Sequence, residues 1–217
     1  MDRPNVHNNF YYFTAALLFL LVASALVSST PDGEHHIVVQ LVMFFTQLVA
    51  YFTLSLGRHW RRFVFVMLVL MLIANILREF TTWHAAPITG LLVSLVFYTG
   101  MAIAAARQVL FTGYIESNTI VGAFAVYLLM GLIWTILYLL ALELWPEGFN
   151  GIQHKDWNDN FGVMTYYSYV TMTTLGYGDI SPALPVTRTL AYLQAVAGTF
   201  YMAVVVASMV GALRKTK

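Results

Sequence analysis

The sequence predicts an all-α membrane protein with six transmembrane helices and a shorter, re-entrant helix between the fifth and the sixth. Composition is the first reason: 59% of the 217 residues are hydrophobic and 10% are charged, whereas soluble domains carry about 25% charged residues. Six apolar stretches approach or exceed the length of a bilayer crossing, which takes about 20 residues. The third reason is a short glycine-rich run between the last two of these stretches.

The first half of the chain contains four predicted spanning helices. Each is an apolar stretch that ends at polar or turn-forming residues, and together they cover residues 10–29, 37–56, 63–77 and 88–106. Pro87 stands at the first turn of the fourth helix, where proline is well tolerated. We therefore expect residues 1–106 to form one four-helix membrane domain.

The second half contains two longer apolar stretches with a shorter helix between them. The spanning helices are predicted over residues 119–144 and 186–213, with a polar loop at 146–160 and a short helix at 161–173. The short helix has too few residues to cross a bilayer. Residues 107–118 have an apolar side and predict an interfacial linker helix, which leaves residues 119–217 as a second domain.

The charges between the helices predict the orientation of the chain. If both termini are cytoplasmic, 8 of the 11 Lys and Arg residues lie inside, together with 2 of the 10 acidic residues. Positive charge concentrates on the cytoplasmic side of membrane proteins. We therefore expect cytoplasmic termini, the glycine-rich run at the outer face, and a location in the plasma (cell inner) membrane in contact with lipid.

Composition disfavours several classes of function. The chain has no cysteine, which excludes disulfides, thiolate metal sites and a cysteine nucleophile. The net charge is +1, so nothing favours a nucleic-acid partner. No serine–histidine, paired-aspartate or His-x-x-x-His arrangement lies within the predicted spans. We therefore expect neither an enzyme nor a cofactor.

The glycine-rich run reads Thr-Met-Thr-Thr-Leu-Gly-Tyr-Gly-Asp over residues 171–179. Glycine at positions 176 and 178 permits backbone angles that a Cβ atom would obstruct. With those angles, the carbonyls of residues 174–177 could all point to one side, and the Thr174 hydroxyl would add one more oxygen. Four such strands around one axis would form stacked rings of oxygen, which can replace the water shell of a potassium ion.

This run resembles the selectivity filter of tetrameric potassium channels, whose common form is Thr-Val-Gly-Tyr-Gly-Asp. Leu175 stands where the family has valine, and the other five positions agree. The resemblance implies a homotetramer that conducts K+. The ion-binding residues that it implies are Thr174, Leu175, Gly176, Tyr177 and Gly178, with K+ at the first four; residues 174–178 are called the filter segment below.

The resemblance also implies supporting residues around the filter segment. Tyr166 and Tyr167 stand where the family often has two tryptophans, so their rings are expected behind the filter segment, with Tyr166 bonded to Asp179. Asp179 would raise the local cation concentration at the outer mouth through its charge. Gly198 matches the hinge glycine of the family in the last helix, although a glycine there equally permits close helix packing.

Six helices with the pore last is also the plan of voltage-gated channels. Their fourth helix carries arginines at every third position, whereas residues 88–106 contain none and only Arg107 follows. Steep gating uses about 3–4 charges per subunit, so we expect passive conduction without a functional voltage sensor.

Three alternatives stay open from the sequence. One is a weakly selective cation channel, and another is a regulatory or non-conducting membrane subunit that retains the pore fold. The third is a secondary transporter, which predicts paired broken helices in two repeats. The chain shows one such break, so the transporter is the less favoured of the three.

Overall fold

A computed structural model describes residues 9–28, 35–53, 58–80, 86–110 and 117–215. Within these ranges the chain is mostly helical, as predicted, and forms seven helices and one small sheet. In chain order the elements are α1 (Asn9–Ser28), α2 (His35–Thr53), α3 (Arg58–Phe80), α4 (Ala86–Leu110), α5 (Ser117–Leu144), β1 (Phe149–Asn150), α6 (Trp157–Met172), β2 (Ser181–Pro182) and α7 (Pro185–Lys215).

Two helices of the described chain are long and apolar enough to cross a membrane. They are Pro87–Val109, within α4, and Ser117–Leu144, which is α5. Shorter apolar segments cover Phe10–Leu26 and Arg62–Ile73. Because a crossing takes about 20 apolar residues, these two helices have the length and composition that a membrane crossing requires.

Helix α6 begins earlier than the sequence predicts, at Trp157 instead of residue 161. The Asp156 side chain caps this end by accepting a hydrogen bond from Asn158 N at 3.0 Å. Trp157 and Asn158 are both buried. Hydropathy did not predict this first turn because its residues are mostly polar. The cap and the packing of the turn hold these residues in the helix.

Two other helices extend past their predicted bounds by more than two residues at one or both ends. α3 covers Arg58–Phe80 rather than 63–77, because its charged ends continue the helix beyond the apolar part. α4 continues to Leu110, so the predicted boundary between the first domain and the linker falls inside a helix. Residues 111–116 of the predicted linker lie outside the described residues.

Helix α5 lies at the centre of the described helices and packs against α1, α4, α6 and α7. α1 runs beside α5 in the same direction: Phe10 N donates to Asn118 Oδ1 (3.3 Å) and Thr14 Oγ1 donates to Val121 O (3.3 Å). α2 packs on α1, and α3 packs on α4. Both α1 and α2 also contact α6, so the first helices lie directly against the short helix that precedes the filter segment.

The two short strands join the loop after α5 to the chain that follows the filter segment. They are antiparallel, with Phe149 opposite Pro182 and Asn150 opposite Ser181. Thr187, which is fully buried at the start of α7, donates through its hydroxyl to Gly148 O at 2.8 Å. The end of α5 and the start of α7 are therefore connected through this loop and the chain after the filter segment.

Candidate functional site

The filter segment begins directly after the last turn of α6. Thr174 N donates to Thr171 O (3.1 Å), and Leu175 N donates to Val170 O (3.0 Å). Gly176 N also points to Val170 O, at 3.4 Å. These bonds anchor the start of the filter segment to the carbonyl end of α6, where the helix dipole carries partial negative charge.

The backbone of the filter segment alternates in handedness. The φ angle is positive at Thr174 (61°), Gly176 (57°) and Gly178 (82°), and it is not positive at Leu175 or Tyr177. Alternation of this kind turns successive peptide groups the same way, with the N–H groups on one side and the carbonyls on the other. Glycine adopts a positive φ without steric cost, which accounts for two of the three positions.

Thr174 is the exception among these residues, because it is β-branched and still has a positive φ. Among the described residues it is the one non-glycine residue with this conformation. A non-glycine residue in the left-handed region costs of order 1–3 kcal/mol and tends to occur at functional sites. The bonds that residues 174–176 make to the end of α6 hold the strained angle in place.

Nothing in the described chain covers the filter segment. Leu175 is 60% exposed and Tyr177 is 69% exposed. A Cβ atom added at Gly176 or at Gly178 would meet nothing within 4 Å. Inside one chain, these two glycines are therefore required by their φ angles and not by neighbouring atoms.

Asp179 follows the filter segment and is held by two contacts. The Tyr166 hydroxyl donates to Asp179 Oδ2 at 2.8 Å, so the hydrogen bond that the resemblance implies is present. This bond, more than any other cause, raises the pKa of Tyr166 above its ordinary value of 10.0. Gly151 lies against the backbone of Asp179: its φ is +82°, and a Cβ atom there would stand 2.0 Å from Asp179 O.

Sequence reasoning did not identify the contact between Gly151 and Asp179. The signal available was the dipeptide Asn150-Gly151, a turn signal, but the sequence does not show what the turn packs against. Only glycine fits here, because the backbone oxygen of Asp179 occupies the position of a Cβ atom. The loop before α6 therefore supports the residue that directly follows the filter segment.

The two tyrosines of α6 lie in different surroundings. Tyr166 is 40% exposed and faces Asp179. Tyr167 is buried and packs against Tyr138 of α5 and Phe149 of β1, with ring centroids 4.8 and 5.5 Å apart. Tyr166 thus contacts the residue that follows the filter segment, whereas Tyr167 fixes α6 to α5 and to the small sheet.

Gly198 lies in the middle of α7, which is one continuous helix from Pro185 to Lys215. A Cβ atom at this position would stand 2.5 Å from Met172 O and 2.6 Å from Met172 Cγ. The glycine therefore lets α7 approach the last turn of α6 closely. This contact assigns Gly198 a packing role, and its role as a hinge stays a prediction.

A buried polar cluster behind α6 was not expected from the sequence. Its members are Gln194 of α7, Ser168 of α6 and Tyr138 of α5, and each has no exposed surface. The available signal was one glutamine within the apolar run of α7, because a buried amide needs partners. The identity of those partners becomes visible only when the three helices are assembled.

The acidic residues in and next to the loop between α5 and α6 have different surroundings. Glu143 Oε2 lies 3.7 Å from His154 Nε2, and Asp156 caps α6. Glu147 is exposed. Within the described residues, no group of three or more His, Cys, Asp or Glu side chains has the arrangement of a metal site.

The second half of the chain is similar to known ion channels. Residues 119–215 match a family model described as "Ion channel". The matched stretch contains α5, α6, the filter segment and α7, and it supports an ion-channel function for that half of the chain. No curated protein and no solved structure matches the chain at the threshold of the search.

Proposed function

We propose that this chain is the subunit of a potassium-selective channel in which four copies surround one pore. The observation that carries the proposal is the alternating backbone of residues 174–178, with positive φ at every second residue. It lies between two helices within a stretch that is similar to ion channels. Short glycine-containing turns are common, but this alternation directly after a short buried helix is what a ring of carbonyl ligands requires.

Conduction follows from the chemistry of the main chain. Carbonyl oxygens of Thr174, Leu175, Gly176 and Tyr177 from four chains replace the water molecules around a dehydrated K+ ion. The Thr174 hydroxyl adds a further ring of oxygen. Neighbouring ions repel each other and so move in single file. Asp179 places negative charge at the outer mouth and attracts cations to it.

The exposure of the filter segment in one chain supports assembly into a tetramer. Irregular backbone at membrane depth persists only where protein or a water-filled cavity surrounds it, yet Leu175 and Tyr177 are largely uncovered. One side of α7 is also exposed and apolar. Its large side chains are Val186, Tyr192, Leu193, Val196, Phe200 and Val204. Neighbouring subunits would cover these surfaces.

The packing of α1 supports the proposed orientation. Phe10 near the start of α1 bonds to Asn118 near the start of α5, so these two helices begin on the same side. Together with the distribution of basic residues, this favours six spanning helices with both termini in the cytoplasm. The filter segment then opens to the outside of a plasma or cell inner membrane.

Helix α4 argues against steep voltage gating. It covers Ala86–Leu110, and its only charged residue is Arg107, in the last turn. Moving one charge through 100 mV is worth about 2.3 kcal/mol, and a charge at the end of a helix crosses little of that field. The first four helices therefore serve as a scaffold or a binding surface and not as a voltage sensor.

Two alternative functions are each supported by one specific observation. Leu175 stands in place of valine and changes the packing behind the carbonyls. This difference is the observation in favour of a weakly selective cation channel. The direct packing of α1 and α2 on α6 is compatible with a non-conducting subunit whose pore half is a docking scaffold. The intact Gly-Tyr-Gly-Asp run favours a selective channel over both.

Reconstitution of the purified full chain into liposomes tests the proposal. A K+ gradient is imposed with Na+ as the opposing cation, and the reversal potential is measured. A selective channel shifts it by about 59 mV for each tenfold change in the K+ gradient. A potential that follows Na+ equally would establish the weakly selective channel. No flux above that of protein-free liposomes would favour the non-conducting subunit.

A further inference from the structure

Gln194 is an unusual residue for the middle of an apolar helix. It lies in α7 and has no exposed surface. Transfer of an amide out of water costs free energy unless the protein replaces the lost hydrogen bonds. Burial of this side chain is therefore tolerated only if its two N–H bonds and its carbonyl oxygen all find partners, and each of them does.

The partners of Gln194 belong to α5 and to α6, the helix whose last turn anchors the filter segment. Gln194 Nε2 donates to Ser168 O (3.0 Å) and to Ser168 Oγ (2.7 Å), and Gln194 Oε1 accepts from the Tyr138 hydroxyl. Ser168 Oγ in turn donates to Gly131 O at 2.7 Å. One continuous set of hydrogen bonds thus joins α7, α6 and α5, and such fully satisfied buried sets make the local structure rigid.

Helices α6 and α7 touch again one turn further along. Gly198 lies four residues after Gln194, and Met172 lies four residues after Ser168. The backbone oxygen of Met172 fills the space in which Gly198 would carry a Cβ atom. Helices α6 and α7 are therefore registered by a polar contact followed by a close-packed contact. The close-packed contact is at Met172, two residues before Thr174, where the filter segment begins.

We propose that Gln194 is a positioning residue for ion selectivity, which sets the position of α6 against α7 and thereby the spacing of the filter carbonyls. This inference rests on the proposed function. A slide or a rotation of α6 would carry Val170 with it, and Val170 O anchors Leu175 and Gly176. The distance between a carbonyl ring and a bare cation decides which cation the ring prefers.

The test replaces Gln194 by methionine, which has a similar length and no hydrogen-bonding amide. The change leaves the Tyr138 hydroxyl and the Ser168 carbonyl without their α7 partner. In liposomes containing the full chain, we expect K+ current to persist while the K+/Na+ permeability ratio falls roughly tenfold, the size expected when one buried hydrogen-bond partner is lost.

Tyr201→Phe is the matched control. The Tyr201 hydroxyl donates to Ala123 O at 2.7 Å, so this variant also removes a hydrogen bond between α7 and α5. It does not involve α6. We expect its permeability ratio to equal that of the wild type. A Tyr201→Phe channel as unselective as Gln194→Met would show that any loosening of α7 has this effect, which overturns a specific role for Gln194.

Ser168→Ala provides a milder variant in case Gln194→Met does not assemble. It removes the hydroxyl and keeps the carbonyl that Gln194 also binds, so we expect roughly a threefold fall in the ratio. The double variant should lower the ratio by less than the product of the two single effects, because the bond between Gln194 and Ser168 Oγ is lost in both single variants. An unchanged ratio in Ser168→Ala, or in Gln194→Met, overturns the proposal.

A binding readout separates this inference from the proposed function. The thermal stability of the purified tetramer is measured against K+ and Na+ concentration. We expect Gln194→Met to raise the K+ concentration needed for half-maximal stabilisation roughly tenfold, whereas a purely structural role would lower stability equally in both salts. A wild-type protein with no preference for K+ overturns the proposed function and this inference together. A preference that Gln194→Met leaves intact overturns this inference alone.

Discussion

Replacement of Gly176 by alanine should abolish K+ flux and leave the protein assembled. The φ angle at this residue is +57°, and an L-residue in the left-handed region costs roughly 1–2 kcal/mol. Four chains contribute four such residues, so the penalty on the proposed tetrameric filter is about 4–8 kcal/mol. The backbone can escape this penalty by returning to a negative φ, which rotates the adjoining peptide groups and moves their carbonyls.

The cost in Gly176→Ala should fall on the filter conformation and not on the fold of the chain. A Cβ atom at this position meets nothing within 4 Å in the single chain, so there is no clash to disturb α6 or α7. The assay measures K+ flux into liposomes per assembled particle, with assembly followed by size-exclusion chromatography. Gly90→Ala is the control, because its Cβ would also meet nothing within 4 Å and alanine is favoured in a helix.

The result that would refute this reasoning is undiminished K+ flux in Gly176→Ala. It would show that the left-handed angle is not needed for conduction, so residues 174–178 would not be the ion pathway. Loss of flux in Gly90→Ala as well would show that the assay responds to any change in the helices. Loss of the assembled particle in Gly176→Ala alone would show that this glycine serves the fold.

Three further results are expected. Gly198→Ala should lower the free energy of unfolding by about 1–3 kcal/mol in thermal denaturation, because its Cβ would press on Met172 O; unchanged stability would leave only the hinge role. Tyr166→Phe should lower thermal stability by the loss of its bond to Asp179. Because that bond raises the pKa of Tyr166 above 10.0, the difference from wild type should be constant between neutral pH and pH 10.0 and shrink above pH 10.0; a difference that disappears between neutral pH and pH 10.0 would contradict the assignment. Conductance should depend weakly on voltage, since Arg107 is the only charge in α4; a steep conductance–voltage curve would show that another segment senses the field.

The helices could be predicted from the sequence because apolar runs of the right length dominate it. The seven described helices follow the predicted order, and the errors lie at helix ends. Trp157 begins α6 because Asp156 caps it, and a cap depends on the local path of the chain more than on hydropathy. Six membrane crossings stay a prediction, since two described helices pass the length and hydropathy test.

The filter segment could be located because its residues are contiguous. Glycines at 176 and 178 signal positive φ angles, and both have them; the positive φ of Thr174 carries no such signal, since threonine rarely adopts it. Contacts between distant residues could not be found. Gln194 and Ser168 are 26 residues apart, and their meeting depends on the packing of α6 against α7.

A density map of the purified full chain tests the central claim most directly. The account predicts a particle of four chains with residues 174–178 of each chain facing one shared axis, and with ion density on that axis between their carbonyl oxygens. A particle without fourfold symmetry would contradict it. So would a tetramer whose filter carbonyls face away from the axis.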